Sequence, residues 1–519
     1  MLSRILKFIL PVLMMALVGC ASNKAFRTTA SCGISECKGS SIIEKHDNYD
    51  LAFVEFSEKG NVFSRQKMKT VLDYVDFLKI TAEEGLHVVV FVHGWRHNAH
   101  HKDGNVESFK KMLELTASLD TMRKRKILGV YIGWRGLSFG LEPIKSLSYW
   151  ERKAVAHQVG KGGVTELLLK LERKLNNQNP DNKTTATPEK PIKTASYQID
   201  NPIGNDPNKH VFIVVGHSFG SAIVLSGLNE VLMERVISGQ RKEKIVSVEE
   251  QKKENCIKTR PFGHGVILIN PAVEANEILQ LKELVSENCF VPSQDRLMHI
   301  ISSDADSATS LAFPFGQFLG DLNWNHAEID RPFLITGENK VLDEFDLNIN
   351  TAGNFEPFLT GYLMAPEKKQ SNNGLPKNTK CTKNNTDWTF RSYLTRDRHK
   401  IDCFHEHHKD AQHIRAGSHE PLAFIKTDGA FIENHNDIFN ENVGAYIGAI
   451  VSEARNKRCM GNKEICKKVK ESVKVKDNYK NIDENCSLMG HFSFGNCFKA
   501  YQETFCKLKK CSVKINDYN

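Results

Sequence analysis

The chain has no apolar run long enough to cross a bilayer. Its N-terminal run, Phe8–Gly19, is twelve residues long, whereas a spanning helix needs about 20. An apolar fraction of 40% with 25% charged residues argues against a polytopic membrane protein and against a largely disordered chain. Net charge is also missing from most of the length. The formal charge is +8, but segment 1–20 carries Arg4 and Lys7 with no acid, and 456–519 carries 14 basic against 7 acidic residues. The body, 21–455, is therefore within one charge of neutral, and nothing in it asks for nucleic acid. There is no internal repeat. No paired C-x-x-C spacing occurs among the cysteines from Cys459 to Cys511, which argues against a zinc site there. What is present is a chain of 519 residues, enough for two to four domains at roughly 100–200 residues each.

The two charges of Met1–Lys7, the apolar run and the ending Leu17-Val18-Gly19-Cys20 have the layout of an export signal. The ending resembles the lipobox of bacterial lipoproteins, in which the cysteine is lipidated and becomes the mature N-terminus. The resemblance implies a membrane anchor at Cys20, made stable by more than one acyl chain. Ala21 follows instead of Asp, so the inner-membrane retention signal is missing and the outer membrane of the bacterial cell envelope is the expected site. Export favours disulfides. Of 13 cysteines, twelve remain after Cys20, an even number. Cys32 with Cys37, Cys256 with Cys289, and Cys381 with Cys403 are each expected to close a local loop. Six more fall between Cys459 and Cys511, and their connectivity cannot be read from spacing.

Residues 21–50 read as a polar tether. From Leu51 onward, short β-branched runs alternate with longer amphipathic stretches. Strands are expected at Leu51–Phe56, His87–Val92, Ile127–Ile132, Val211–Val215, Val266–Ile269, Met298–Ile301 and Leu422–Lys426. Helices are expected at Ser64–Ile80, Val106–Leu119, Tyr149–Leu175, Ser218–Val236, Glu274–Glu287 and Val443–Ala454. The strand runs are almost wholly apolar, as strands covered on both faces are. Alternating strands and helices point to an α/β domain over 51–455, with a mostly parallel central sheet flanked by helices. Two polar stretches, 176–209 and 366–387, read as surface insertions. The Lys-rich, Cys-rich segment 456–519 reads as a small disulfide-rich C-terminal appendage.

The chemistry centres on one serine. The strand Val211–Val215 runs directly into Gly216-His217-Ser218-Phe219-Gly220, and a helix opens behind it. This is G-x-S-x-G in the strand–turn–helix setting of a nucleophile elbow. The turn strains the serine, and Gly216 and Gly220 remove side chains that would clash. An earlier strand, His87–Val92, ends in His93-Gly94-Trp95. With these two features the chain resembles the α/β-hydrolase superfamily of lipases and esterases. The resemblance covers roughly residues 50–455. It implies that the backbone N–H groups of Trp95 and Phe219 form an oxyanion hole, where each donor is worth about 3–4 kcal/mol.

The triad is then expected in the chain order Ser, acid, His. After Met298–Ile301 comes Ser302-Ser303-Asp304-Ala305-Asp306, and either aspartate could serve. The family's spacing favours Asp306, with Asp304 as the alternative. After Leu422–Lys426 comes Asn434-His435-Asn436-Asp437-Ile438, similar to the family's His-x-Asp-Ile string, which makes His435 the expected base. Asp306 and His435 stand 129 residues apart, so 307–420 is expected to hold a cap-like insertion with an apolar start at Leu311–Gly316. Two histidine groups, His97, His100 and His101 near Asp103, and His405 to His413, fit a solvated loop better than a metal site. Arg135 is expected either to contact substrate or to stack on Trp134 or Trp95.

The resemblance implies a lipid-anchored serine esterase that needs no cofactor or metal and acts on acyl esters, lipids included. An acyltransferase or thioesterase would use the same site. A binding protein on an inactive hydrolase scaffold is the rival of another class. The basic tail suits an anionic lipid or envelope polymer.

Overall fold

The computed structural model describes residues 23–32, 39–119, 125–137, 144–176, 209–240, 256–288, 290–291, 294–321, 326–332, 339–364, 389–392, 421–460 and 500. The signal segment with Cys20, the cores of both polar insertions, His405–His413 and nearly all of the C-terminal appendage lie outside them.

Each expected apolar run forms a strand. In chain order the strands of the described residues, expected and unexpected, are β1 (Thr29–Cys32), β2 (Ser41–Lys45), β3 (Tyr49–Glu55), β4 (Leu86–Val92), β5 (Lys126–Gly133), β6 (Val211–His217), β7 (Gly265–Ile269) and β8 (Met298–Ser303). They continue with β9 (Glu328–Pro332), β10 (Asn339–Asp343), β11 (Gly361–Met364), β12 (Thr389–Ser392) and β13 (Leu422–Thr427). Eleven build one sheet in the order β1-β2-β3-β5-β4-β6-β7-β8-β13-β11-β12, while β9 and β10 pair separately. All neighbours from β3 to β11 run parallel.

The sheet is covered on both faces, and β4 illustrates the arrangement. Val88, Val90 and Val92 enter one core, and Val89 and Phe91 enter the other, as the two-residue period of a strand requires. The first core is closed by α1 (Arg65–Thr81), α3 (Ile144–Val159), α4 (Thr165–Leu175), α5 (Phe219–Gln240) and α6 (Leu279–Ser286). The second is closed by α2 (Gly104–Leu119) and α9 (Glu441–Met460). Two short helices complete the set among the described residues, α7 (Phe313–Asp321) and α8 (Glu344–Ile349). Each aliphatic side chain buried this way contributes about 1.5–3 kcal/mol. Local signals set the ends: Ser64, in extended conformation, caps α1 by accepting from the Lys67 N–H at 3.3 Å.

Three expectations need correction. The segment 21–50 is not a free tether, since β1 and β2 join the sheet edge there. Arg27 anchors them: its guanidinium pairs with Glu44 at 2.5 Å and donates to the Ala99 carbonyl at 2.7 Å. The single helix expected over Tyr149–Leu175 is broken into α3 and α4 by a π-turn at Gly160–Val164, where Gly162 leaves helical geometry, as glycine-rich kinks do. The span 307–420 is more than a cap, because β11 and β12 extend the central sheet beyond β13. Of the cysteine pairs, Cys256 is disulfide-bonded; residues 37, 289, 381 and 403 lie outside the described residues.

Candidate active site

The expected site residues meet where parallel strands end. Ser218 follows β6, Asp306 follows β8, His435 follows β13, and His93-Gly94-Trp95 follows β4. In open parallel sheets the strand carboxyl ends are where ligands bind.

Ser218 sits in the left-handed region at φ +54°, a costly conformation for a residue with a Cβ. The surroundings hold it there. Its N–H donates to the Ile269 carbonyl at 3.1 Å, and its carbonyl accepts from Ser221 at 3.0 Å and Ala272 at 3.3 Å. The turn demands glycine at 220, where a Cβ would stand 2.0 Å from the Val92 oxygen. Gly94 is demanded for the same reason, since a Cβ there would stand 2.7 Å from Ser218 Cβ. That closeness brings the β4 turn against the serine. The ring of Tyr149 lies 5.4 Å from Trp95 and 4.8 Å from Phe219, so it packs between the two residues whose N–H groups the resemblance assigns to an oxyanion hole.

Ser218 Oγ lies 2.9 Å from His435 Nε2, and His435 Nδ1 lies 2.9 Å from Asp306 Oδ2. Asp306 is fully buried. Burial alone would raise its pKa, but hydrogen bonds and charge from His435, with two bonds from Thr309, lower it. The Thr309 hydroxyl donates to Oδ2 at 2.5 Å and the Ala308 N–H to Oδ1 at 2.9 Å. The carboxylate is thus ionised and fixed, and it accepts from Nδ1–H. That leaves the Nε2 lone pair facing the serine hydroxyl, which is the tautomer a general base needs. The alternative, Asp304, is 62% exposed and pairs with Lys426 at 3.1 Å, pointing away from this chain of bonds.

His93 is fully buried, and burial pulls its pKa down to about 4. As a neutral ring it donates from Nδ1 to the Gly94 carbonyl at 2.9 Å and accepts from the Trp134 N–H at Nε2 at 3.2 Å. It therefore ties the turn after β4 to the turn after β5. The guanidinium over Trp95 belongs to Arg96, at 4.1 Å. Arg135 pairs with Glu58 at 3.2 Å. Asp103 binds His97 at 3.0 Å and the Asn98 N–H at 3.1 Å, so this histidine group is a stapled loop.

One group of described residues offers three metal-type ligand atoms within 4.8 Å of one another: His157, Glu274 and Glu277. Lys153 already ion-pairs with Glu274 Oε1, and Gln317 donates to the same oxygen at 2.5 Å. A further cation would meet the Lys153 ammonium, so the donor set does not suit one.

Asn270 was not legible as a site residue. It is fully buried directly after β7 at φ +44°, and Asn-Pro after a strand is the one local signal that pointed to it. No family model matches this chain, and no curated protein or solved structure matches it.

Proposed function

We propose that the chain is a serine hydrolase of the α/β-hydrolase superfamily, exported as a lipoprotein of the bacterial envelope, that cleaves carboxylic esters through an acyl-enzyme on Ser218. The observation that carries this reading is the continuous path of two 2.9 Å hydrogen bonds from Ser218 through His435 to the buried, ionised Asp306.

In this mechanism Ser218 Oγ attacks the ester carbonyl carbon as its proton passes to His435 Nε2. The carbonyl oxygen gains charge and is held by the Trp95 and Phe219 N–H groups. The tetrahedral intermediate collapses, the C–O bond to the alcohol breaks, and His435 returns the proton to the departing oxygen. Water then repeats the sequence on the acyl-serine, giving the carboxylic acid and free Ser218. Asp306 stays ionised throughout and stabilises the imidazolium.

The scaffold is rigid where the chemistry needs it. Ser218 is 4% exposed and sits on a turn bonded to the neighbouring end of β7. Geometry held before the substrate arrives is what turns binding into rate. Cys20 would anchor the enzyme to the membrane, and the basic segment 456–519 would bind anionic lipid or polymer. No described helix is long and apolar enough to cross a membrane.

The test is Ser218→Ala in protein lacking residues 1–20, assayed on short-chain p-nitrophenyl esters. The expected result is loss of hydrolysis, and hydrolysis at the unchanged rate contradicts the reading.

A further inference from the structure

His435 lies on the loop between β13 and α9, yet its ring must hold two partners at once. Loops are the mobile parts of a fold. What fixes this one is its main chain. The His435 carbonyl accepts from His217 Nε2 at 2.8 Å and from Asn270 Nδ2 at 3.2 Å. The donors come from the ends of β6 and β7, two adjacent strands near the middle of the sheet.

We propose that Asn270 and His217 are positioning residues, a two-sided clamp on the His435 carbonyl that sets where the imidazole stands relative to Ser218. The kinetic part of this inference rests on the hydrolase reading.

Asn270 meets three demands that few residues meet together. Its backbone is left-handed, a conformation that asparagine tolerates better than most residues. Its Oδ1 accepts from the Ser303 N–H at 3.1 Å, which ties the end of β8 just before the acid loop. Its Nδ2 then donates to His435. One side chain therefore registers the strand that carries the acid against the loop that carries the base. Glycine would supply the backbone conformation and neither bond.

His217 is the residue directly before the nucleophile. Burial, and next the neighbouring His435, keep it neutral. Its partner at Nε2 is a carbonyl oxygen, so Nε2 carries the proton. The two rings lie 4.9 Å apart at 44°. His217 thus links the base to the strand that presents the nucleophile. The His435 loop is also internally braced: Asn440 Nδ2 donates to the Phe431 carbonyl at 3.0 Å, and the Glu433 N–H donates to Asp437 at 3.0 Å. The clamp docks a preformed loop as a unit.

Asn270→Gly keeps the backbone conformation and removes both bonds, while Asn270→Asp keeps the Ser303 contact and puts an acceptor against the carbonyl. Both are measured for ester turnover and for the downfield proton resonance of the His435 Nδ1–H···Asp306 bond. Displacing reacting groups by an ångström can cost on the order of a hundredfold. The expected loss in kcat for both variants is about tenfold or more, with KM within about twofold and the resonance shifted or broadened. His217→Gln, which keeps an N–H at similar reach, is expected to restore most of what His217→Ala loses. Wild-type kcat together with an unmoved resonance in both Asn270 variants overturns the clamp. A wild-type protein without turnover overturns the hydrolase reading alone, because the resonance still reports whether the clamp holds the ring.

Discussion

Two of the buried charged clusters among the described residues invite comparison. At the β1–β3 edge, Arg27 is closed in on every side. It meets Glu44, the Ala99 carbonyl and the face of Phe53, while Glu55 accepts the backbone N–H groups of Phe26 and Arg27 at 2.9 and 2.8 Å. At the carboxyl ends of the central strands, Asp306 is held as firmly, but its bonds lead outward through His435 to a hydroxyl. The first cluster spends its charge on fixing an edge. In the proposed mechanism the second holds one charge still so that a proton can move two bonds away. Burial of an ionic group is therefore no sign of function by itself. The direction in which its hydrogen bonds run is what separates the two.

The largest expected effect separates the clusters by activity. Asp306→Asn should lower kcat by about four orders of magnitude, because the amide favours the wrong histidine tautomer, while the urea midpoint shifts far less. Arg27→Ala should do the reverse. It takes the Arg27 cation from buried Glu44 and Glu55 and leaves Glu44 only Lys110 and His46, a loss of about 3–5 kcal/mol read by urea unfolding, with kcat of the folded fraction unchanged. If Arg27→Ala lowers kcat as much as Asp306→Asn does, the division between the clusters fails.

Acid unfolding sharpens the comparison, since the two regions titrate in different windows. Buried His93 has its pKa lowered to about 4. The unfolded chain takes up that proton near pH 6.5 and the folded one does not. Stability is therefore lost as pH falls from about 6.5 towards 4, by about 3 kcal/mol. His210 and His217 are displaced in the same direction, so His93→Gln should narrow this window without abolishing it. Glu44 behaves differently. Burial alone would raise its pKa, but the hydrogen bond to His46 and the charges of Arg27 and Lys110 hold it at about 2. Its contribution is present above about pH 4.5 and lost between there and 2. Glu44→Gln should flatten that lower limb and leave the upper one. A single limb that neither variant alters would contradict the assignment.

The smallest effect is expected at Asp304. Its own side chain is solvent-exposed at 62% in the pair with Lys426, and pairs with an exposed partner contribute about 0–1 kcal/mol. Asp304→Asn should leave kcat within about twofold of wild type.

These contrasts follow what a sequence can and cannot carry. The seven central strands were legible because both faces of the sheet are covered, which makes each run almost wholly apolar. β1, β2, β11 and β12 lie towards the sheet edges. Ser41-Ile-Ile-Glu-Lys45 mixes charge into its run, and no apolar pattern announces it. Ser218 was legible because its turn is local: strand, glycine, serine, glycine and helix are contiguous. Asp304 and Asp306 differ by two positions, and only the register of β8 against β13, with the fold of the loop beyond, decides which is buried. Asn270 was illegible for a stronger reason. Its partner carbonyl is 165 residues away, and no local pattern encodes that meeting.

The most direct measurement is reaction of the folded protein with a fluorophosphonate, followed by mass spectrometry of the digested adduct. The account predicts one phosphonyl group on Ser218, slowed strongly in Asp306→Asn and unaffected in Asp304→Asn. No adduct on the wild-type protein, or an adduct on another residue with Ser218 unmodified, would contradict it.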